Sequence, residues 1–176
     1  MSKRTEIDWS DHELLISKTD NLLVHQLKIP DSIMLNVKFT NLKDILVVTG
    51  DLGHWMFCRP FHPSPDGGVS EMYWLEKLTW KSCQEPTDFD SEATRNEIRE
   101  RLDEPGLSEE LIDYYEMIEL YVDEGYDGYY YAHAYGNIPD GLDSDDVPVV
   151  RKTKSQLLCV FDAFDEICRR LKEATQ

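Results

Sequence analysis

The chain has 176 residues, with 18 Lys and Arg against 35 Asp and Glu, for a formal charge of -17. That charge argues against direct contact with nucleic acid or anionic lipid, whose phosphates would repel it. No apolar run approaches the ~20 residues of a membrane span, and Met1-Ser2-Lys3-Arg4 is not followed by the apolar stretch of a signal peptide. Leu, Ile, Val and Phe make up 45 residues, about a quarter of the chain and above the roughly 20% below which charged chains stay disordered. A packed core in a single domain spanning residues 1–176 is expected. The four cysteines (Cys58, Cys83, Cys159, Cys168) lack a secretory context and read as reduced cytosolic thiols.

In chain order, the first part (1–83) reads mainly as sheet. Leu22 to Lys28 forms a plausible strand ended by Pro30-Asp31. Ile33, Leu35, Val37 and Phe39 alternate with period two, the pattern of a half-buried strand. Ile45-Leu46-Val47-Val48 is a short apolar run suited to a central strand, and Thr49-Gly50-Asp51-Leu52-Gly53 reads as a turn. His54 to Phe61 alternates again, with Trp55, Phe57 and Phe61 on one side. Short links between these runs favour an antiparallel meander of about four strands.

The remainder reads as helix. Ser70 is placed to cap a helix to Lys77, and Asp90 or Ser91 one that runs to Leu102 before Pro105-Gly106. Ser108 is a good N-cap for a helix reaching Glu124, with Gly125 at its C-terminal cap. Residues 125–148, rich in Gly, Tyr and Asp, read as irregular with a short strand near Tyr129–Ala132. Ser155 to Ala174 is amphipathic, with Leu157, Val160, Phe161, Phe164, Ile167, Cys168 and Leu171 at helical spacing. The fold class expected is therefore α+β, with an antiparallel sheet packed by helices and the last segment (147–176) as a packing helix.

The charge is not evenly spread. Residues 84–146 hold 20 acidic and three basic side chains, so this flank carries the whole imbalance. On a helical wheel of residues 109–124, Leu111, Tyr115, Ile118 and Val122 share one side. Glu109, Glu110, Asp113, Glu116, Glu119, Asp123 and Glu124 take the other, with nothing basic among them. An ordinary solvated helix mixes signs, because like charges at i,i+4 cost it a few tenths of a kcal/mol. At ~1.5 Å per residue the rod from Ser108 to Glu124 spans about 26 Å, over which one DNA strand presents roughly 7–8 phosphates. Met117 and Leu120 fall in the acidic half, where apolar side chains ringed by charge suit a binding hot spot. Tyr126 and Asp127 extend the surface into a segment holding eight of the nine tyrosines, Tyr114 to Tyr135. These residues form the candidate partner-binding surface for a basic protein; the contrasting interpretation is a solvated flank that serves solubility.

Candidate chemistry is thin, and no decisive catalytic motif is present. His54-x3-Cys58-x3-His62, with Cys83 downstream, supplies four N/S ligands of the kind zinc takes, but strand residues four apart lie about 13 Å from one another. A buried Cys58 flanked by turn histidines is the simpler expectation, and a metal-dependent hydrolase or nuclease using this cluster is the enzymatic alternative. Asp140-x2-Asp143-x-Asp145-Asp146 lacks the ligand order of a calcium loop. Gly50-Asp51-Leu52-Gly53 lacks the Lys-Ser/Thr of a phosphate loop. Arg59, between Phe57 and Phe61, is expected to pair with a carboxylate of the acidic half. No cofactor and no metal are expected.

The block Gly50-Asp51-Leu52-Gly53-His54-Trp55-Met56-Phe57-Cys58-Arg59-Pro60-Phe61-His62-Pro63-Ser64, with the closing Val160-Phe161-Asp162-Ala163-Phe164-Asp165-Glu166-Ile167-Cys168, resembles a family of small acidic phage and prophage proteins of unassigned function. The likeness runs over most of the chain. It implies a viral protein in the host cytoplasm and carries over no site residues. By analogy with small acidic phage proteins that block host nucleases and restriction or CRISPR effectors, it favours a non-enzymatic, anti-CRISPR-like inhibitor that mimics nucleic acid. A phage accessory protein that binds another phage protein would use the same face.

Overall fold

In the computed structural model, residues 4–65, 67–79, 85–136, 138–143 and 146–176 are described. The fold is α+β. The chain forms two compact units, one made of residues 1–86 and 153–176, the other of 87–152. The second coincides, to within a few residues at each end, with the acidic stretch.

The first unit is built on a five-stranded antiparallel meander in sequential order: β1 (Glu13–Thr19), β2 (Leu22–Lys28), β3 (Val37–Leu42), β4 (Ile45–Gly50) and β5 (Trp55–Phe57). Its register fixes two faces. Leu27, Val37, Phe39, Leu46, Val48, Trp55 and Phe57 are fully buried or nearly so and share one face. Against them pack Trp74 of α1 (Glu71–Lys77) and Leu157, Val160, Phe161, Phe164 and Ile167 of α5 (Ser155–Ala174). Trp74 is the aromatic hub, with ring centroids of Phe61 at 4.2 Å, Phe57 at 4.8 Å, Phe164 at 5.0 Å and Phe161 at 5.2 Å. Asp162, inside the α5 core face, is satisfied by the Arg4 amide at 3.0 Å and the Thr5 hydroxyl at 2.5 Å, which tie the start of the chain to α5.

The sheet departs from the sequence reading in two places. β1 was not expected, and it makes the sheet five strands rather than four. The strand read over Ile33, Leu35, Val37 and Phe39 begins only at Val37. Asp31 and Leu35 have positive φ (56° and 53°), and Ile33 is 90% exposed in the resulting loop. The Gly50 turn is required by geometry: φ is +126°, and a Cβ there would lie 2.0 Å from the Asn36 carbonyl oxygen.

The second unit holds α2 (Ser91–Leu102), α3 (Glu109–Leu120), a 3-10 turn (Val122–Glu124) and α4 (Gly125–Tyr135), with the short strands β6 (Thr87–Phe89) and β7 (Arg151–Thr153) paired. Ile98, Tyr114, Tyr115, Ile118, Val122, Tyr129 and Val147 form its core. Two expectations are corrected here. The helix expected to reach Glu124 stops at Leu120, and the first part of the segment read as irregular, with its expected short strand near Tyr129–Ala132, is the helix α4. Gly125, with φ of 79° and ψ of -173°, breaks the rod and redirects it. Among the described residues no helix is long and apolar enough to cross a membrane.

Candidate protein-binding face

The position of α3 follows from its cap and its inward side chains. The Ser108 side chain accepts the Leu111 amide at 3.3 Å, and Glu109 and Glu110 occupy the first turn, where the helix dipole favours negative charge. Tyr114, Tyr115 and Ile118 point inward. The Tyr114 hydroxyl shares a 2.6 Å hydrogen bond with His133 Nδ1 of α4, and burial, helped by Tyr115, pushes the phenol up to about 12. The Tyr129 hydroxyl donates to the Pro148 carbonyl at 2.6 Å, and burial raises that phenol as well. Thus Tyr114, Tyr115 and Tyr129 are core residues, each hydroxyl or ring held by the unit itself, whereas Tyr130 and Tyr131 are 55% and 62% exposed.

The outward side carries Glu109, Asp113, Glu116 and Leu120, which recur at intervals of four, three and four and so form one stripe. All four are exposed, Leu120 by 78%. Glu110 lies beside the stripe, and Glu124 and Asp127 are exposed on either side of the Gly125 break. Among the described residues, Glu109, Glu110, Asp113, Glu116, Glu124 and Asp127 make no ion pair within 4 Å.

Four of the expected site residues behave differently. Glu119 is paired with Arg99 Nε at 2.7 Å and lies 3.8 Å from Arg95 Nε, while Asp123 takes Arg95 Nη2 at 2.7 Å. The hydrogen bond to Asp123 holds the Arg95 guanidinium above its ordinary value. The acidic face is therefore not free of cations: α2 supplies two arginines on its own i,i+4 ridge, matched to Glu119 and Asp123 at the same spacing. Met117 is half-buried against the core rather than an exposed anchor, and its Cε would lie 2.8 Å from a Cβ on Gly136. Tyr126, 37% exposed, is stacked on Tyr130 at 5.9 Å, with the Arg151 guanidinium 4.8 Å above its ring. The unpaired part of the rod is correspondingly shorter. Twelve residues of α3 span ~18 Å at 1.5 Å per residue, over which one nucleic-acid strand presents about five phosphates.

The candidate metal cluster is not assembled. Among the described residues no three His, Cys, Asp or Glu side chains come together to hold a metal ion. Cys58, expected to be buried, is exposed with its thiol on the Lys77 carbonyl at 3.3 Å, because it follows rather than faces the core positions Trp55 and Phe57. Cys83 and Asp145 lie outside the described residues. Among the described residues Arg59 has no carboxylate partner; its guanidinium bonds the Tyr73 hydroxyl and sits 5.4 Å from that ring. The Cys159 and Cys168 thiols are unpaired, and burial pushes both up, away from the reactive range.

Each unit has a concave region among its described residues. In the first unit a cavity of about 750 Å³ is bounded by Ile7, Trp9, Asp165, Cys168 and Arg169. In the second, a groove of about 810 Å³ is bounded by Tyr126, Tyr130, His133, Ile138 and Val149. No protein-family model matches the chain, and no curated protein and no solved structure matches it either.

Proposed function

We propose that the protein is a phage-encoded, non-enzymatic inhibitor of a host defence complex, of anti-CRISPR type, acting in the host cytoplasm. In this reading Glu109, Glu110, Asp113 and Glu116 stand in for nucleic-acid phosphates and enter a basic groove of a CRISPR effector or nuclease. Glu124 and Asp127 extend the contact, and Leu120 supplies its apolar anchor. The observation that carries the reading is the one-sided stripe on α3, where carboxylates without ion pairs among the described residues flank a leucine that is 78% exposed. Like charges at helical spacing lower the stability of the helix that bears them, whereas a complementary basic surface gains on-rate and specificity from them. Glu119 and Asp123 serve the fold in this scheme, since Arg95 and Arg99 already neutralise them.

The test is a plasmid-interference assay in cells with an active CRISPR system. A variant with Glu109, Glu110, Asp113 and Glu116 all changed to Lys is compared with one in which the exposed first-unit residues Asp11, Asp20 and Asp44 are changed to Lys. Loss of protection in the first and retention in the second is the expected result. Full protection by the α3 variant, at equal abundance, refutes the phosphate-surrogate role.

A further inference from the structure

We propose that β1 is a docking edge for a second copy of this chain, which joins it strand to strand and continues the sheet across a two-fold axis. The meander has two outer strands, and they are treated differently. β5 has three residues, and the chain after α1 satisfies its flank: the Cys58 amide donates to the Lys77 carbonyl and the Thr79 amide to the Met56 carbonyl, both at 2.8 Å, with Phe57 bridged to Leu78. β1 has seven residues, pairs along its whole length with β2, and has no strand on its other side among the described residues. Six of its seven residues are exposed.

Open edges are ordinarily guarded by proline, a bulge, several charges or a very short strand. β1 has none of the first two, and its only basic residue is Lys18; the ladder from Glu13 to Thr19 is unbroken. Its middle is instead Leu14-Leu15-Ile16, with Leu15 42% and Ile16 50% exposed. Ile16 lies opposite His25 on the core face, whereas Leu15 lies opposite Gln26 on the other face. Each face of the sheet therefore reaches its edge with an uncovered apolar side chain.

The strand's own sequence selects the occupant. A two-fold axis normal to the sheet keeps each face on its own side, so an antiparallel self-pairing must be centred on a residue. Centred on Leu15, it sets Leu15 against Leu15 of the second copy, Leu14 against Ile16 twice, and Glu13 against Ser17. Every apolar residue then meets an apolar one and no like charges face each other. Centring on Ile16 would instead oppose Leu14 to Lys18. The unit that bears β1 carries little of the chain's net charge. Residues 87–152 hold 19 acidic and five basic side chains, which leaves the unit that bears β1 with 16 acidic and 13 basic.

Sedimentation of the full chain from micromolar to near-millimolar concentration is expected to show a monomer–dimer equilibrium. Ile16→Lys, at an already half-exposed position, is expected to weaken it at least tenfold with an unchanged circular dichroism spectrum. In a Cys58→Ser background, Leu15→Cys is expected to form a disulfide between copies under mild oxidation, and Ser17→Cys, which faces Glu13 in this register, is not. A monomer throughout the concentration range overturns the proposal. So does a dimer whose cross-linking is as efficient at position 17 as at 15, and this comparison decides the matter even if Ile16→Lys does not fold.

Discussion

If the α3 stripe exists for a partner, removing its charge makes the free protein more stable and a poorer binder at once. Asp113 is the centre of the repulsion, with Glu109 at i-4, Glu110 at i-3 and Glu116 at i+3, and among the described residues none of the four is in an ion pair. Each like-charge pair at these spacings costs about 0.2–0.5 kcal/mol. Asp113→Asn with Glu116→Gln removes all three pairs and leaves Glu109 and Glu110 to favour the helix N-terminus. The expected gain is therefore ~0.6–1.5 kcal/mol at low ionic strength, or roughly 2–4 °C in Tm for each kcal/mol in a chain of this size. The gain should shrink as salt is raised toward a Debye length of ~3 Å at 1 M. Urea unfolding at two salt concentrations, followed by circular dichroism, measures it. A double variant that is less stable at low salt would refute the reasoning, because these carboxylates would then be engaged within the fold.

Two further outcomes follow from buried groups in the first unit. His25 is 3% exposed and its Nδ1 has no hydrogen-bond partner among the described residues; burial, with His62 nearby, holds its pKa below the ordinary 6.5. The unfolded chain thus takes up this proton first as pH falls. Stability is full above pH 6.5 and declines below it, by at most about 1.4 kcal/mol per pH unit; His25→Phe is expected to flatten that decline in urea titrations between pH 7.5 and 5.5, and an unchanged slope contradicts the assignment. Trp74 is fully buried, and its indole N–H has no partner among the described residues. Trp74→Phe gives up about 40 Å³ of packing, worth ~1 kcal/mol, but relieves an unpaired donor that costs about 1–3 kcal/mol, so the change in stability is expected to be near zero. Trp74→Ala is expected to cost at least ~4 kcal/mol. Equal losses for the two variants would show that the N–H is satisfied.

Elements with local signals were legible in the sequence. Ser70, Asp90 and Ser108 each accept a first-turn amide as capping residues do, and α5 has the bounds its apolar spacing predicts. β1 was hidden because an edge strand exposed on both faces has no reason to alternate. Residues 31–36 misled in the opposite way: the alternation of Ile33 and Leu35 is present, but Asp31 and Leu35 take left-handed conformations and the Ser32 hydroxyl accepts the Met34 amide, so the chain turns. α4 was masked by Gly125, Gly128 and three consecutive tyrosines, residues of poor helix propensity. Its burial of Tyr129 and the Tyr114–His133 bond outweigh that local cost. The acidic stripe itself was readable from one helix. Its partial neutralisation was not, since Arg95 and Arg99 act from a neighbouring helix, although their four-residue spacing repeats that of Glu119 and Asp123.

The most direct test of the central claim is displacement. A guide-loaded CRISPR effector is bound to fluorescently labelled target duplex, and the purified protein is titrated in at several salt concentrations. The account predicts release of the duplex by the native protein, with an apparent affinity that falls steeply as salt rises, and none by the variant with Lys at 109, 110, 113 and 116. Equal displacement by both proteins, or binding indifferent to salt, would contradict it.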